Sequence, residues 1–577
     1  MRISPRWIGL AGIVVLVALV SAALLFTATG RTAAGALTRR ASSALTRFGP
    51  GPAPPPDSVT ITVDPAHVLR PISPLIYGVA HANPDQLLAL GALLNRWGGN
   101  PNTRYNWALG DAWNAARDWE FRNYGQANTV GESASDRFVA ENRSVGVETE
   151  ITIPAIGWVA RNGDKETRSI GVPSVGGPPL ASGSDAIAGY DPSRNRQLTS
   201  LPSFARKNAP FTDPPDARDG RVFQDEWVHH LVNRFGSADG GGVRYYVVDN
   251  EPDLWSFTHT DVHPAQMSYD DTLGTFLDYA AAIKSVDPQA KVAGPALSGW
   301  TAYFYSALDQ GADRYRTHAD RVGHGDMPFL PWWLDQVRKH DQQTGQRSLD
   351  VLDVHYYPQG AGVFSAADDP QTRALRVRST RSLWDPSYVD ESWITDAVQL
   401  IPRLREWRDQ YYPGTQIAIG EWSWGGEKSM SGALAVADVL GIFGREGVDM
   451  ASYWTFPALD SPAAQAFSLY TRYDDHGDAF GDQALSASVD ASPNFVTTYA
   501  SLDSATGDVV IVAINKRSDA DVAATVRVSG GPRATAEVYR FSEGDAAILD
   551  TGPAPVHGSD VRLDLPASSI TLVRLAR

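Results

Sequence analysis

The chain of 577 residues contains no cysteine. That removes disulfides, thiol nucleophiles and thiolate metal sites together. It does not fix the compartment, because an exported domain of this size can be stable without cross-links. Positive charge is also in deficit, with 50 Lys and Arg against 66 Asp and Glu, a formal net charge of −16. A nucleic-acid backbone needs a clustered positive face, so no nucleic-acid partner is expected. A neutral polymer is compatible with that charge. Walker loops, Gly-x-Ser-x-Gly elbows and nicotinamide fingerprints are missing from fitting strand ends. His259 and His263 stand four apart, but no HExxH accompanies them, which argues against a zinc hydrolase.

Long hydrophobic runs are scarce as well. One stretch, Trp7 to Thr27, carries no charge. About 20 such residues cross a bilayer as a helix. Arg2 and Arg6 before it fit a cytoplasmic amino terminus. A cleaved signal peptide has a shorter apolar core, roughly 7–15 residues. The expectation is therefore a signal anchor within residues 1–30, its helix over about 7–28, with a cleaved signal peptide as the rival. Either one exports the remainder. Residues 31–58 read as a Pro/Ala/Gly-rich linker ending in GPGPAPPPDS.

What the chain has in quantity is aromatic. There are seventeen tryptophans, enough for a large core or for sugar-stacking platforms, since a pyranose face packs on an indole. Eight apolar strand candidates follow the linker, most separated by helical patterns: Pro74–Ala80, Ala92–Asn100, Val147–Val159, Tyr245–Pro252, Lys291–Gly299, Leu349–Pro358, Gln416–Trp424 and Asp449–Phe456. Strand alternating with helix means right-handed crossovers and a parallel sheet. Eight such units predict a (β/α)₈ barrel over residues 71–479. The alternative, an open doubly wound sheet, usually places a glycine-rich phosphate loop after its first strand, and none follows Pro74–Ala80. The segment 159–220 reads as a long loop over one barrel end. From about residue 480 short alternating strands predict an antiparallel β-sandwich over 480–577. The alternating strand at 59–70 is expected to complete it from the other side of the barrel.

Two strand ends carry the same design. YYVV, Tyr245–Val248, turns polar at Asp249, Asn250 and Glu251, and Pro252 stops it, because proline cannot donate to a ladder. Ile417–Gly420 runs into Glu421, with Trp422 and Trp424 behind it. In a parallel barrel the carboxyl ends of strands are where chemistry sits. Two carboxylates from the fourth and seventh of eight strands face each other across the mouth, as glycoside hydrolysis requires. Glu251, beside the neutral donor Asn250, suits the acid/base, and Glu421 the nucleophile. Arg96 at the second strand end can hold a carboxylate ionised. His355 and Tyr357 at the sixth can bond the nucleophile or a sugar. Trp97, Trp255, Trp422, Trp424 and Trp454 are stacking candidates, each with core packing as its rival. The acidic loop Tyr473–Asp482 offers oxygen ligands for a structural calcium, although not at EF-hand spacing.

These segments resemble glycoside hydrolase family 44, a group of endo-β-1,4-glucanases and xyloglucanases. The resemblance rests on NRWGGNPNTRYNW (Asn95–Trp107, including Asn100), ITIPAIGWVA (Ile151–Ala160), VVDNEPDLW (Val247–Trp255), LDVHYYP (Leu352–Pro358) and IGEWSWGG (Ile419–Gly426), in order along the exported part. It implies a barrel with a β-sandwich, a retaining mechanism, Glu251 as acid/base and Glu421 as nucleophile. It also implies a β-glucan substrate, no required cofactor, and a calcium that often accompanies the family. A monomer is expected. The chain departs from the family's usual pattern at Gly420 and Trp422, where many members carry Thr and Tyr, and at Asp253, where many carry a small residue. A β-xylanase or β-mannanase on the same barrel, or a non-catalytic glycan binder, are the alternatives.

Overall fold

The structure is a computed structural model that describes residues 55–125, 133–172, 191–530 and 535–577. The expected anchor and most of the linker lie outside the described residues. Among the described residues no helix is long and apolar enough to cross a membrane.

Eight parallel strands close into a barrel: Gly78–Ala80, Leu94–Trp97, Glu148–Ile153, Tyr245–Val248, Lys291–Leu297, Val351–Tyr356, Gln416–Trp422 and Met450–Tyr453. They are called the first to eighth strands below. Closure is made where Ser452 of the eighth pairs with Gly78 of the first. The strands are shorter than their apolar runs because the polar residue after each run turns into a loop. Pro74–Ile76, expected as strand, forms a 3₁₀ turn capped by Ser73. The lower barrel interior is filled by Leu94, Tyr245, Val247, Ala293, Val351, Ala418 and Met450. It is a packed floor on which the site stands.

Among the helices that the strand–helix pattern passed over are Pro84–Leu90, closed by an Asn83–Gln86 capping box, and Pro462–Thr471, capped by Ser461. The 159–220 segment also has more order than a loop. Trp158–Ala160 pairs antiparallel with Ser200–Phe204, and a buried Arg104–Asp261 ion pair lies beneath, 3.0 Å apart. Residues 173–190 lie outside the described residues.

The carboxyl-terminal strands form one ten-stranded sheet around its own core of Val and Leu side chains. The strand Ser58–Pro71 enters this sheet with Val59, Ile61 and Val63 buried, as its alternation requires. It lies at the middle. It runs antiparallel to Gln483–Val489 and parallel to Val522–Val528, so the sheet is not purely antiparallel.

Barrel and sheet share the helix Met430–Glu446, buried on nearly every face. Asp438 on it bonds Lys516 of the sheet at 2.7 Å and accepts from Thr380, Thr497 and Tyr499. Burial pushes the Asp438 carboxyl up, but the Lys516 charge and these donors outweigh it and hold it below its usual range.

Candidate active site

Glu251 stands in a turn held under strain. Asp249 and Glu251 both adopt left-handed backbone, φ 61° and 45°. For residues with a Cβ this costs about 1–3 kcal/mol each, and it persists only where neighbours enforce it. Asp249 does so here. It accepts from Thr103 Oγ1 at 2.6 Å, from Ile156 N at 2.9 Å, and from the N–H groups of Ala155 and Asn250. Glu251 N donates to Ala296 O at 3.0 Å, and Trp255 Nε1 donates to Asn250 O at 3.0 Å. The Asn-Glu-Pro turn is thus tied on both sides before its carboxylate does anything.

The charged groups then converge. Arg96 Nη1 donates to Glu421 Oε1 at 2.6 Å, and Tyr357 OH donates to Glu421 Oε2 at 2.9 Å. Arg96 Nη2 donates to Asn250 Oδ1 at 3.0 Å. His355 Nδ1 lies 3.0 Å from Glu251 Oε1 and 3.5 Å from Glu421 Oε2. One carboxylate oxygen of each glutamate and a ring nitrogen of His355 fall within 4.8 Å of one another. That spacing would also suit a metal ion, but Arg96 already supplies the positive charge at Glu421. Asn100 stands at the rim, its Oδ1 3.5 Å from Asn250 Nδ2.

Glycines make the room. A Cβ at Gly98 would fall 2.4 Å from the Arg96 guanidinium carbon. A Cβ at Gly420 would fall 2.3 Å from Asp353 Oδ1, which instead accepts the Gly420 N–H at 2.9 Å. The Gly420 departure therefore has a local reason. The Asp353 carboxylate occupies the space a side chain would need.

The two glutamates sit in opposite electrostatic settings. Burial pushes the Glu251 carboxyl up, and the nearby Glu421 and Asp253 charges add to this, so it rises despite the His355 contact. Burial acts on Glu421 too, but the charges of His355 and Arg96, with hydrogen bonds from Arg96 and Tyr357, hold its carboxyl below the usual range. Burial disfavours the His355 imidazolium, yet the Glu421 charge and the Glu251 bond raise it overall.

The tryptophans divide differently from expectation. Trp422 packs in the core against Phe443 and Tyr453, and Trp424 against Tyr356, with its Nε1 donating to Ser379 at 3.0 Å. Both are completely buried, Trp255 nearly so, and Trp97 lies among Tyr105, Trp113 and Phe138. None of these four offers a sugar an open face; they support strand ends. The reason is pleat. Trp422 and Trp424 point away from the barrel axis, toward the helices, while Glu421 points in. Trp454 is half-buried, with the Arg96 guanidinium 5.9 Å from its ring centre, and it lines an open hollow of about 500 Å³ with Phe364, Ser423, Gly425 and Lys428. A second hollow, about 190 Å³, adjoins the Glu251 turn through Asp253 and is walled by Trp300, Tyr305, Gln359 and Trp393. Trp393 is 61% exposed. Sequence reading missed Trp393, which lies on a loop far from any strand end, and Trp300, which opens the 3₁₀ turn just past the fifth strand but has no carboxylate beside it in the chain. Exposure of a tryptophan was the signal, and it has no signature in the chain alone.

The acidic loop does not fit the calcium expected there. Asp474 accepts from the N–H groups of His476 and Asp478, Asp478 pairs with Arg574 at 2.9 Å, and Asp482 accepts from Ser504. Asp474 Oδ1, Asp478 Oδ2 and both Asp482 oxygens are thus spent on donors within the protein.

A closed parallel barrel with two facing glutamates at strand ends, one raised and one held ionised, defines a glycoside hydrolase. Comparison with known proteins narrows the class. The family model of glycoside hydrolase family 44 matches residues 112–360. Endoglucanase A of Paenibacillus lautus is 34% identical over 514 residues, covering 85% of this chain and 69% of that protein. The crystal structure of CelM2, a bifunctional glucanase-xylanase from a metagenome library, superposes with a TM-score of 0.81 at 38% identity, covering 90% of this chain and 99% of that one. A family 44 xyloglucanase of Paenibacillus polymyxa does so with a TM-score of 0.79 at 30% identity, covering 90% and 100%. The chain belongs to glycoside hydrolase family 44.

Proposed function

We propose that the protein is a retaining endo-β-1,4-glucanase acting on xyloglucan or a cellulose-type glucan, with Glu251 as acid/base and Glu421 as nucleophile. The observation that carries this is geometric: one oxygen of each glutamate lies within 4.8 Å of the other and of a His355 nitrogen, while Arg96 and Tyr357 donate to Glu421 and not to Glu251. Retaining enzymes hold the pair roughly 5–5.5 Å apart, leaving no room for a water between. Glu421, ionised and aimed by Arg96 and Tyr357, attacks the anomeric carbon. Glu251 gives its proton to the departing oxygen. Once Glu421 is esterified its charge is gone, and with it the like charge that adds to burial in favouring protonated Glu251. Glu251 then accepts a proton from water, which attacks the glycosyl-enzyme and releases Glu421. His355, between the two, stabilises whichever carboxylate is charged. No step calls on a cofactor or a cation.

For the substrate, support comes from the relatives named glucanase or xyloglucanase and from the aromatic walls flanking the pair. The hollow beside Glu251 would take the leaving-group side, with Trp393 and Trp300 as stacking faces; Trp454 would serve the opposite side. CelM2's second activity favours xylan as a further substrate. The charge-free run before the linker supports a membrane-tethered protein with its catalytic part outside. Incubation with xyloglucan, carboxymethylcellulose and xylan tests the reading. Proton NMR of the first products should show β-anomers from internal cleavage. Early α-anomers would refute retention, and no release from any of the three would refute the activity.

A further inference from the structure

The floor beneath Glu421 holds acids that the mechanism leaves unused. Glu150, on the third strand, is the register partner of Arg96 on the second. Asp353 lies one turn of pleat below His355 on the sixth. Glu150 is 1% exposed and Asp353 fully buried. Yet the bonds Arg96 makes all lead toward the site: Nη1 to Glu421, Nη2 to Asn250 and toward His355 Nε2 at 3.4 Å. Among the described residues, Arg96 Nε, Glu150 Oε1 and Asp353 Oδ2 have no hydrogen-bond partner.

We propose that Glu150 is a positioning residue that works as a neutral acid: by withholding a charge from its neighbour Arg96, it leaves the guanidinium committed to Glu421. The inference rests on the reading of Glu421 as nucleophile. An ionised carboxylate buried without donors is costly, whereas the acid form is far less so. A charged Glu150 would also compete directly with Glu421 for Arg96. The groups that face Glu150 are Arg96 from the second strand, Asp353 and His355 from the sixth, Glu421 from the seventh, and Tyr245, its register partner on the fourth. Burial and the Asp353 charge outweigh Arg96 and His355 and push Glu150 up to about 8. Below that value Glu150 is neutral. Above it, a second negative charge enters the floor, draws Arg96 down and takes from Glu421 Oε1 the donor that aims it at the anomeric carbon.

The test must separate this from the titration of Glu251. In Glu251→Ala, glycosylation by 2,4-dinitrophenyl β-cellobioside needs no general acid, so the burst of dinitrophenolate reports the nucleophile alone. That burst rate should fall at least about fivefold as pH rises through the Glu150 value. In Glu251→Ala/Glu150→Gln, where the amide stands in for the neutral acid, the neutral-pH rate should agree within about threefold and the fall should vanish. In Glu251→Ala/Asp353→Asn, which removes the like charge but keeps an acceptor for Gly420 N–H, the fall should move to lower pH. A purely structural role would neither abolish the fall in one variant nor move its midpoint in the other. The Asp353→Asn shift decides the matter should Glu150→Gln not fold. A fall of the same size and midpoint in all three proteins would assign it to His355 and overturn the proposal, as would a flat profile in Glu251→Ala itself. Trapping with a 2-fluoro glycoside checks the underlying reading separately: a label on a peptide without Glu421 would overturn the nucleophile, whatever the profiles show.

Discussion

Replacing Glu251 by alanine should divide substrates by their leaving group. The Glu251 carboxyl stands at the mouth and burial favours its protonated form. Removing it takes away protonation of the departing oxygen, a contribution of about 10²–10⁴-fold, or roughly 3–5 kcal/mol, for an alcohol leaving group. Xyloglucan and unactivated cello-oligosaccharides should lose that much in kcat/KM. The nucleophile, by contrast, keeps its setting. Arg96 Nη1 at 2.6 Å and Tyr357 OH at 2.9 Å hold Glu421 independently of Glu251. A dinitrophenyl cellobioside should therefore still glycosylate within about tenfold of the parent rate. Deglycosylation then lacks its base, so the glycosyl-enzyme accumulates and a burst appears. Azide, which needs no base, should restore turnover and yield a β-glycosyl azide. Equal losses on both substrate types, with no azide product, would refute the assignment. An α-azide would refute double displacement itself.

The pH profile of kcat/KM should be bell-shaped, and both limbs have a sign. Glu421 must be ionised, and because its carboxyl is held low the acid limb should lie below an ordinary glutamate; Glu251 must be protonated, and because it is raised the alkaline limb should lie above one. An alkaline limb at or below the ordinary glutamate range would contradict this. Asp438→Ala leaves Lys516 charged and buried without its partner, and should cost about 3–5 kcal/mol in denaturant unfolding. The wild-type contribution of that lowered carboxyl is present above the unfolded Asp pKa and lost as pH falls through the folded one. Trp393→Ala should raise KM for long glucans by about tenfold, the equivalent of ~1.4 kcal/mol of stacking, and leave a short aryl cellobioside nearly unchanged. An equal effect on both would argue against a remote stacking site.

The barrel was legible because its causes are local. An apolar run that breaks into polar residues, proline or glycine is a strand end whatever surrounds it, and eight such runs alternating with helical patterns leave few topologies. The same logic located Glu251, Glu421, Arg96, His355 and Tyr357, all at strand ends. It failed for Trp97, Trp255, Trp422 and Trp424. Adjacency to a reactive residue along the chain says nothing of side, and in a strand the next residue points to the opposite face. It failed again for Trp300 and Trp393, whose exposure depends on how loops cross the barrel mouth.

By itself, then, the sequence determined the alternation of elements, the absence of thiol chemistry and the placement of two glutamates at strand ends. Tertiary structure alone decided their charges. Whether a carboxyl is acid or nucleophile depends on burial and on which cation stands within a few ångströms, and those neighbours come from strands more than a hundred residues apart: Arg96 and Glu421 are separated by 325 positions. Electrostatic energies fall with distance in space, not along the chain, so only the closed barrel could set them.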